Sequence, residues 1–258
     1  MKSFIRRGRN TNAGFCTIVN DVIKHCRLHY ERFNNLDISI DIEELSTIFN
    51  IEKKYDDSEY TIDIDREYSK IFEDESWRNN LNDYKIISAH EIIDIDVLVE
   101  KNTIYENIFK FKYDDIYENN FDKTLGIHIR GTDKYTEVKP IETNEIFKKV
   151  DEMFDNYYID SIYLATDDYK YLDMFNKKYN GLVKFNTNNI ISKDNRPIHF
   201  IEDRTEINKQ VMIDINTLTK CPYFLYNYSN VSYLALTIGI NKFKAIHCIN
   251  NDKKVILK

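Results

Sequence analysis

The order of apolar and polar positions divides the chain into segments with different periods. Phe4 and Ile5 close a first short strand, and the polar loop from Arg6 to Gly14 follows, with Arg7, Gly8 and Arg9 in it. Residues 15–32 read as a helix, because Ile18, Val19, Val22, Ile23 and Cys26 recur at three- and four-residue steps and form one stripe. A strand is predicted at 36–42 and a helix at 43–53. From Lys53 to Asp74 the charges give no clean period, and 84–118 carries alternating apolar pieces whose type the pattern leaves open.

Past Leu125 the pattern sharpens. Strands are predicted at 125–130, 161–165, 182–186, 223–226 and 243–248, with the last of these closing the series. Helices are predicted between them at 143–156, 169–179, 205–219 and 230–238. In the first of these helices Ile146, Phe147, Val150 and Phe154 share a face. Strands alternating with helices at this spacing imply an α/β fold with a parallel sheet and crossover helices. The division between two halves is expected near 115–124, giving domains over 1–118 and 119–258.

Composition narrows the class. A chain of 258 residues, 42% hydrophobic, can bury one large core or two. No segment approaches the ~20 apolar residues needed to cross a bilayer, and residues 1–7 lack the apolar run of a secretory leader. Cys16, Cys26, Cys221 and Cys248 form no CxxC pair, so free thiols in a reducing, cytoplasmic setting are expected. The net charge of -7 disfavours broad nucleic-acid binding but permits a local basic pocket for one nucleotide.

Such a pocket is suggested where strand 125–130 meets its turn. His128 and Arg130 lie two apart, on one strand face, and Gly131 permits a tight turn before Asp133 and Lys134. Arg130 suits a phosphate, since a guanidinium offers a rigid fork and stays charged when partly buried. Lys134 could stabilise a departing diphosphate, and Glu137 is near enough to serve as a general base. At the end of the next strand Asp167 and Asp168 could accept from ribose hydroxyls or cap the following helix.

The turn Asn227-Tyr228-Ser229-Asn230-Val231-Ser232 begins an apolar helix, where N–H groups suit a phosphate or a plain cap. Asp214 sits inside the apolar stretch Val211–Ile215 and needs a donor, either a purine base edge or an internal arginine. The common ligand of these elements is a nucleoside diphosphate. No Walker motif follows Gly126 and Gly131, which argues against a nucleotide-triphosphate hydrolase. Asp63 and Asp65 spell a DxD without strand-loop context, and no metal site is expected.

These residues resemble the fucosyltransferase superfamily that contains the α1,6-fucosyltransferases, the protein O-fucosyltransferases and the α1,2-fucosyltransferases. The run from His128 through Arg130 and Asp133 to Lys134 looks like the family's first motif, nearest to the α1,6 branch. Tyr163 to Asp168, Val211 to Ile215 and Phe224 to Asn230 look like the stretches that follow, in the right order. The likeness covers roughly residues 120–250 and is thin before residue 115.

It implies a GT-B-like pair of Rossmann-type domains with mostly parallel sheets, the N-terminal one reduced and on the acceptor side. It also implies a GDP-fucose donor held mainly by the C-terminal domain, inversion at the anomeric carbon and no metal cofactor. On that analogy Arg130 binds the β-phosphate, His128 lies at the guanosine-diphosphate site and Asp214 reads guanine. Asp167 or Asp168 would serve the nucleoside or donor, Ser229 and Asn230 belong to the last motif, and Lys134 and Glu137 manage the leaving group and the acceptor proton.

The chain departs from the family in two places: its glutamate falls one position nearer the lysine, and Asn230 replaces a serine. The expected partners are a nucleotide sugar and a glycan or polypeptide acceptor. Two alternatives are another nucleotide sugar such as GDP-mannose, and a nucleotide- or glycan-binding protein without turnover.

Overall fold

The computed structural model describes residues 3–6, 14–51, 60–63, 94–113, 120–132, 141–194, 204–250 and 254–257. Two compact units divide the chain, Met1–Asp114 and Asp115–Lys258. In the first unit, strand β1 (Ser3–Arg6) leads to helix α1 (Phe15–Phe33) and strand β2 (Ile38–Asp41). Helix α2 (Glu43–Ile48), β3 (Phe49–Asn50), β4 (Tyr60–Asp63), helix α3 (Ile95–Ile108) and β5 (Lys110–Phe111) follow. The three-stranded sheet runs β2-β1-β4, all parallel.

The predicted apolar stripe of α1 is buried along its length, and the helix stops at Asn34, whose left-handed φ of 51° is a conformation asparagine tolerates. The helix predicted at 43–53 ends at Ile48 instead. Phe49 is pulled out of it into an aromatic cluster, 5.0 Å from Phe109 and 6.1 Å from Phe15 between ring centroids. Phe49 also pairs in antiparallel register with Phe111. Burial of large rings, each worth about 1.5–3 kcal/mol, outweighs the modest helix propensity of the segment. The 84–118 stretch contains α3, capped by Asp94, whose carboxylate accepts from the Val97 N–H at 3.2 Å.

The second unit alternates strand and helix. Its elements are β6 (Thr124–Ile129), α4 (Thr143–Asn156), β7 (Ser161–Thr166), α5 (Tyr169–Lys178) and β8 (Val183–Lys184). After them come α6 (Arg204–Leu218), β9 (Tyr223–Tyr226), α7 (Asn230–Gly239), β10 (Ala245–Cys248) and β11 (Lys254–Ile256). The sheet order is β11-β10-β9-β6-β7-β8, with five parallel strands and β11 antiparallel at the edge. The strand predicted at 243–248 is therefore not the last, and the one predicted at 182–186 shrinks to two residues.

Central strand β6 is buried on both faces, as a strand covered by helices on each side must be. Leu125, Ile127 and Ile129 join Ile162, Leu164 and Leu225 in a core completed by Ile146, Val150 and Met153 of α4 and Leu172 and Phe175 of α5. The alternate residues face α6 and α7. Gly126 is one of them, and a Cβ there would stand 3.2 Å from Leu218 and 3.1 Å from Cys221, so α6 sits tightly on this face. His128 and Tyr163 share that face, which puts their polar atoms between sheet and helix.

Candidate nucleotide site

At the carboxyl ends of β6 and β7 lies a partly open pocket. His128, Arg130 and Asp167 line one side, while Asn189, Gln210 and Asp214 line another. This is where an open α/β sheet presents its ligands, because strand ends and helix starts leave polar backbone there. All of these residues belong to the second unit.

Arg130 follows the last residue of β6, with its side chain 27% exposed and Nε 3.7 Å from Asp167 Oδ2. Asp167 does more than balance that charge. Its Oδ1 accepts from the Gly131 N–H at 2.8 Å and its Oδ2 from the Thr132 hydroxyl at 2.8 Å, so it shapes the turn that carries Arg130. Asp168 does not line the pocket. It is the buried N-cap of α5, and its carboxylate accepts from the Lys170 N–H at 2.9 Å.

The turn is tight because Gly131 has no side chain. A Cβ at that position would meet Asp168 Cβ and Oδ2 at 2.7 Å and the Tyr171 ring at 2.8 Å. Gly131→Ala is expected to destabilise the protein by about 1–3 kcal/mol, the usual penalty of overpacking, and to displace Arg130. Thermal melting checks the first part. A wild-type melting temperature would show that the turn relaxes freely.

His128 is buried, and its protonation pattern follows from its neighbours. The Ser232 hydroxyl donates its single proton to the Asn227 carbonyl at 2.7 Å. Ser232 Oγ, 2.7 Å from His128 Nδ1, can then only accept from that nitrogen. His128 Nδ1 is therefore the donor in that pair. Ser229 also approaches Nδ1 at 3.3 Å, but its main task is to cap α7 by accepting from the Ser232 N–H at 3.0 Å. Neither Ser229 nor Asn230 lines the pocket, whereas Val231 does.

Asp214 on α6 is the buried carboxylate of the site. Its donors are neutral: the Tyr163 hydroxyl on Oδ1 at 2.7 Å and Asn189 Nδ2 on Oδ2 at 2.5 Å. The arginine partner considered from sequence is not one of these donors. Burial raises its pKa to about 7, and the two hydrogen bonds only partly counter that. Asn189 is itself held by Asn186, and Gln210 fixes the adjacent loop by accepting from the Ile190 N–H at 2.8 Å.

Asn189 and Gln210 were not singled out from sequence. The amide-rich run Asn186-Thr187-Asn188-Asn189 was the available signal for the first. Lys134 and Glu137 lie outside the described residues, as do Arg7, Arg9 and Asp65. Among the described residues no three His, Cys, Asp or Glu side chains cluster as metal ligands do, and no helix is long and apolar enough to cross a membrane. All four cysteines are buried, and none forms a disulfide.

Two mostly parallel sheets, the first smaller than the second, define an α/β fold of the GT-B-like kind with a reduced N-terminal part. Solved structures of NodZ α-1,6-fucosyltransferase share it. One, soaked with GDP-fucose, superposes with a TM-score of 0.58 at 13% identity, covering 100% of this chain and 99% of that one. Another, co-crystallised with GDP, gives 0.56 at 12% identity, covering 100% and 98%. The fucosyltransferase NodZ from Bradyrhizobium gives 0.53 at 13% identity, again covering 100% and 98%. By sequence, no protein-family profile and no curated protein matches the chain.

Proposed function

We propose that this chain is a glycosyltransferase that moves fucose from GDP-fucose to a hydroxyl of a glycan or polypeptide acceptor. The observation that carries the reading is the pocket itself. A guanidinium and an imidazole at the ends of a parallel sheet line one pocket together with a buried carboxylate. The fold is that of NodZ crystals soaked with GDP-fucose or grown with GDP.

In this reading Arg130 meets the β-phosphate, Asp214 accepts from the guanine edge and His128 contacts the nucleotide beside them. Asp167 serves the donor through the turn it shapes, while Asp168, Ser229 and Asn230 hold the helix starts around it. The acceptor oxygen attacks the anomeric carbon as the bond from that carbon to the β-phosphate oxygen breaks, which inverts the centre. GDP departs with the bonding pair, its charge met by Arg130 and Lys134, and the hydroxyl proton passes to Glu137. Residues 1–118 form the acceptor side and residues 119–258 the nucleotide-sugar side. A cytoplasmic location accords with four cysteines outside any disulfide.

Calorimetric titration with GDP, ADP and UDP, followed by mass analysis of products from GDP-fucose and an acceptor panel, tests this. Preferential GDP binding and a deoxyhexose added to an acceptor are expected. Equal affinity for all three nucleotides would remove the reading, and transfer from GDP-mannose alone would change the donor. The mechanism runs without a metal, so transfer in excess chelator should match the untreated rate. A loss that divalent ions restore would count against it.

A further inference from the structure

We infer that Asn227 is the positioning residue that sets both cationic candidates of the pocket, Arg130 and His128, from a single point at the end of β9. The inference rests on the nucleotide reading above and assigns Asn227 no contact with the ligand. Backbone pairing between β6 and β9 runs from Leu125 with Tyr223 to His128 with Tyr226. It continues one step further, with the Asn227 N–H donating to the His128 carbonyl at 3.2 Å. Beyond that point the side chain takes over from the backbone. Asn227 Oδ1 accepts from the Arg130 N–H at 3.1 Å, and Nδ2 donates to the Arg130 carbonyl at 3.1 Å.

A carboxamide is the side-chain group that reproduces a peptide's one donor and one acceptor, so the Arg130 peptide is held as though β9 were longer. The main-chain carbonyl of Asn227 completes the arrangement. It receives the Ser232 hydroxyl, and Ser232 in turn receives His128 Nδ1–H. Asn227 is 7% exposed, so water competes little for these bonds. Arg130 lies past the strand, where nothing in the regular ladder would fix its direction. A fixed peptide there aims the guanidinium without spending ligand-binding energy on ordering it.

The test compares Asn227→Ala with wild type for GDP and for guanosine, alone and in an Arg130→Ala background. GDP affinity should fall about tenfold in Asn227→Ala while guanosine affinity stays within about twofold. In the Arg130→Ala background the same change should cause no further loss of GDP affinity. The Arg130 Nε–Hε resonance should shift on GDP addition in wild type and stay still in Asn227→Ala. A merely structural asparagine would weaken both ligands alike and add its effect to that of Arg130→Ala, which would overturn the assignment.

If Asn227→Ala does not fold, Asn227→Asp keeps the acceptor and removes the donor to the Arg130 carbonyl, and the same ligand split is expected. Hydrogen exchange of the Arg130 amide separates the two ways of failing. Should wild type bind no GDP, the nucleotide reading falls, while faster Arg130 exchange in the variant still supports the clamp. Unchanged exchange rejects the clamp whatever the ligand does.

Discussion

Arg130→Ala should lower kcat/KM for transfer from GDP-fucose by about 10²–10³-fold, the size of effect seen when one charge-stabilising donor is removed from a transition state. The melting temperature should move little. Arg130 stands past the end of β6, its side chain 27% exposed, and its ion pair with Asp167 is 3.7 Å long. Pairs that open to solvent contribute about 0–1 kcal/mol to stability, because water screens them and the side chain loses freedom in making them. A departing diphosphate offers that guanidinium a denser charge than Asp167 does. Asp167 is also already engaged by Gly131 and Thr132 and needs no arginine to hold its place. Steady-state kinetics with thermal melts decide the matter, and near-native turnover in the variant would end the case for Arg130.

The second large effect is expected at Asp214. Burial raises its pKa to about 7, while the unfolded chain releases the same proton near the ordinary carboxylate value of about 3.9. Between these values the folded state binds a proton that the unfolded state has lost. This contribution to stability is complete below about pH 4 and disappears as pH rises through about 7, an effect of about 2–4 kcal/mol over the window. Denaturant unfolding of wild type and Asp214→Asn across pH 4–8 measures it as a pH-dependent difference between the two. A difference that does not vary with pH would mean the carboxyl titrates normally.

Ligand binding should run in the opposite direction. Tyr163 and Asn189 both donate to Asp214, and a guanine edge would donate as well, so the ionised carboxylate is the form that accepts all of them. GDP should therefore bind about tenfold more tightly at pH 8 than at pH 6, with a proton released at the lower pH. Calorimetry in buffers of different ionisation enthalpy reads that proton directly. Asp214→Asn should bind GDP weakly at both pH values and discriminate less against ADP.

Much of the second unit was legible along the chain, and the reason is local. The strands of a parallel sheet are apolar runs, and its helices carry an apolar stripe facing that sheet, so the two periods alternate visibly. The helix predicted at 143–156 is α4, Thr143–Asn156, and the strand at 223–226 is β9. Met153 joined the buried face of α4 unannounced, because Phe147 and Phe154 supplied enough apolar positions to define a stripe without it. The helix that failed at Ile48 did so for a distant reason: Phe49 is claimed by rings more than fifty residues away in the chain. Edge strand β11 was missed because three residues carry too little period to detect.

Residue types and their spacing were enough to determine that the chain is an α/β protein, that His128 and Arg130 share a strand end, and that Asp214 is a carboxylate in need of donors. These properties depend on neighbours a few positions apart. Which carboxylate lines the pocket and which only caps a helix was decided by the tertiary structure alone. Asp167 and Asp168 are adjacent and chemically identical, yet past the end of β7 one bonds the turn that carries Arg130 and the other caps α5. The donors of Asp214 and the Asn227 clamp were likewise settled by folding, since hydrogen bonds between residues 25 to 97 positions apart exist only once the sheet has set its register.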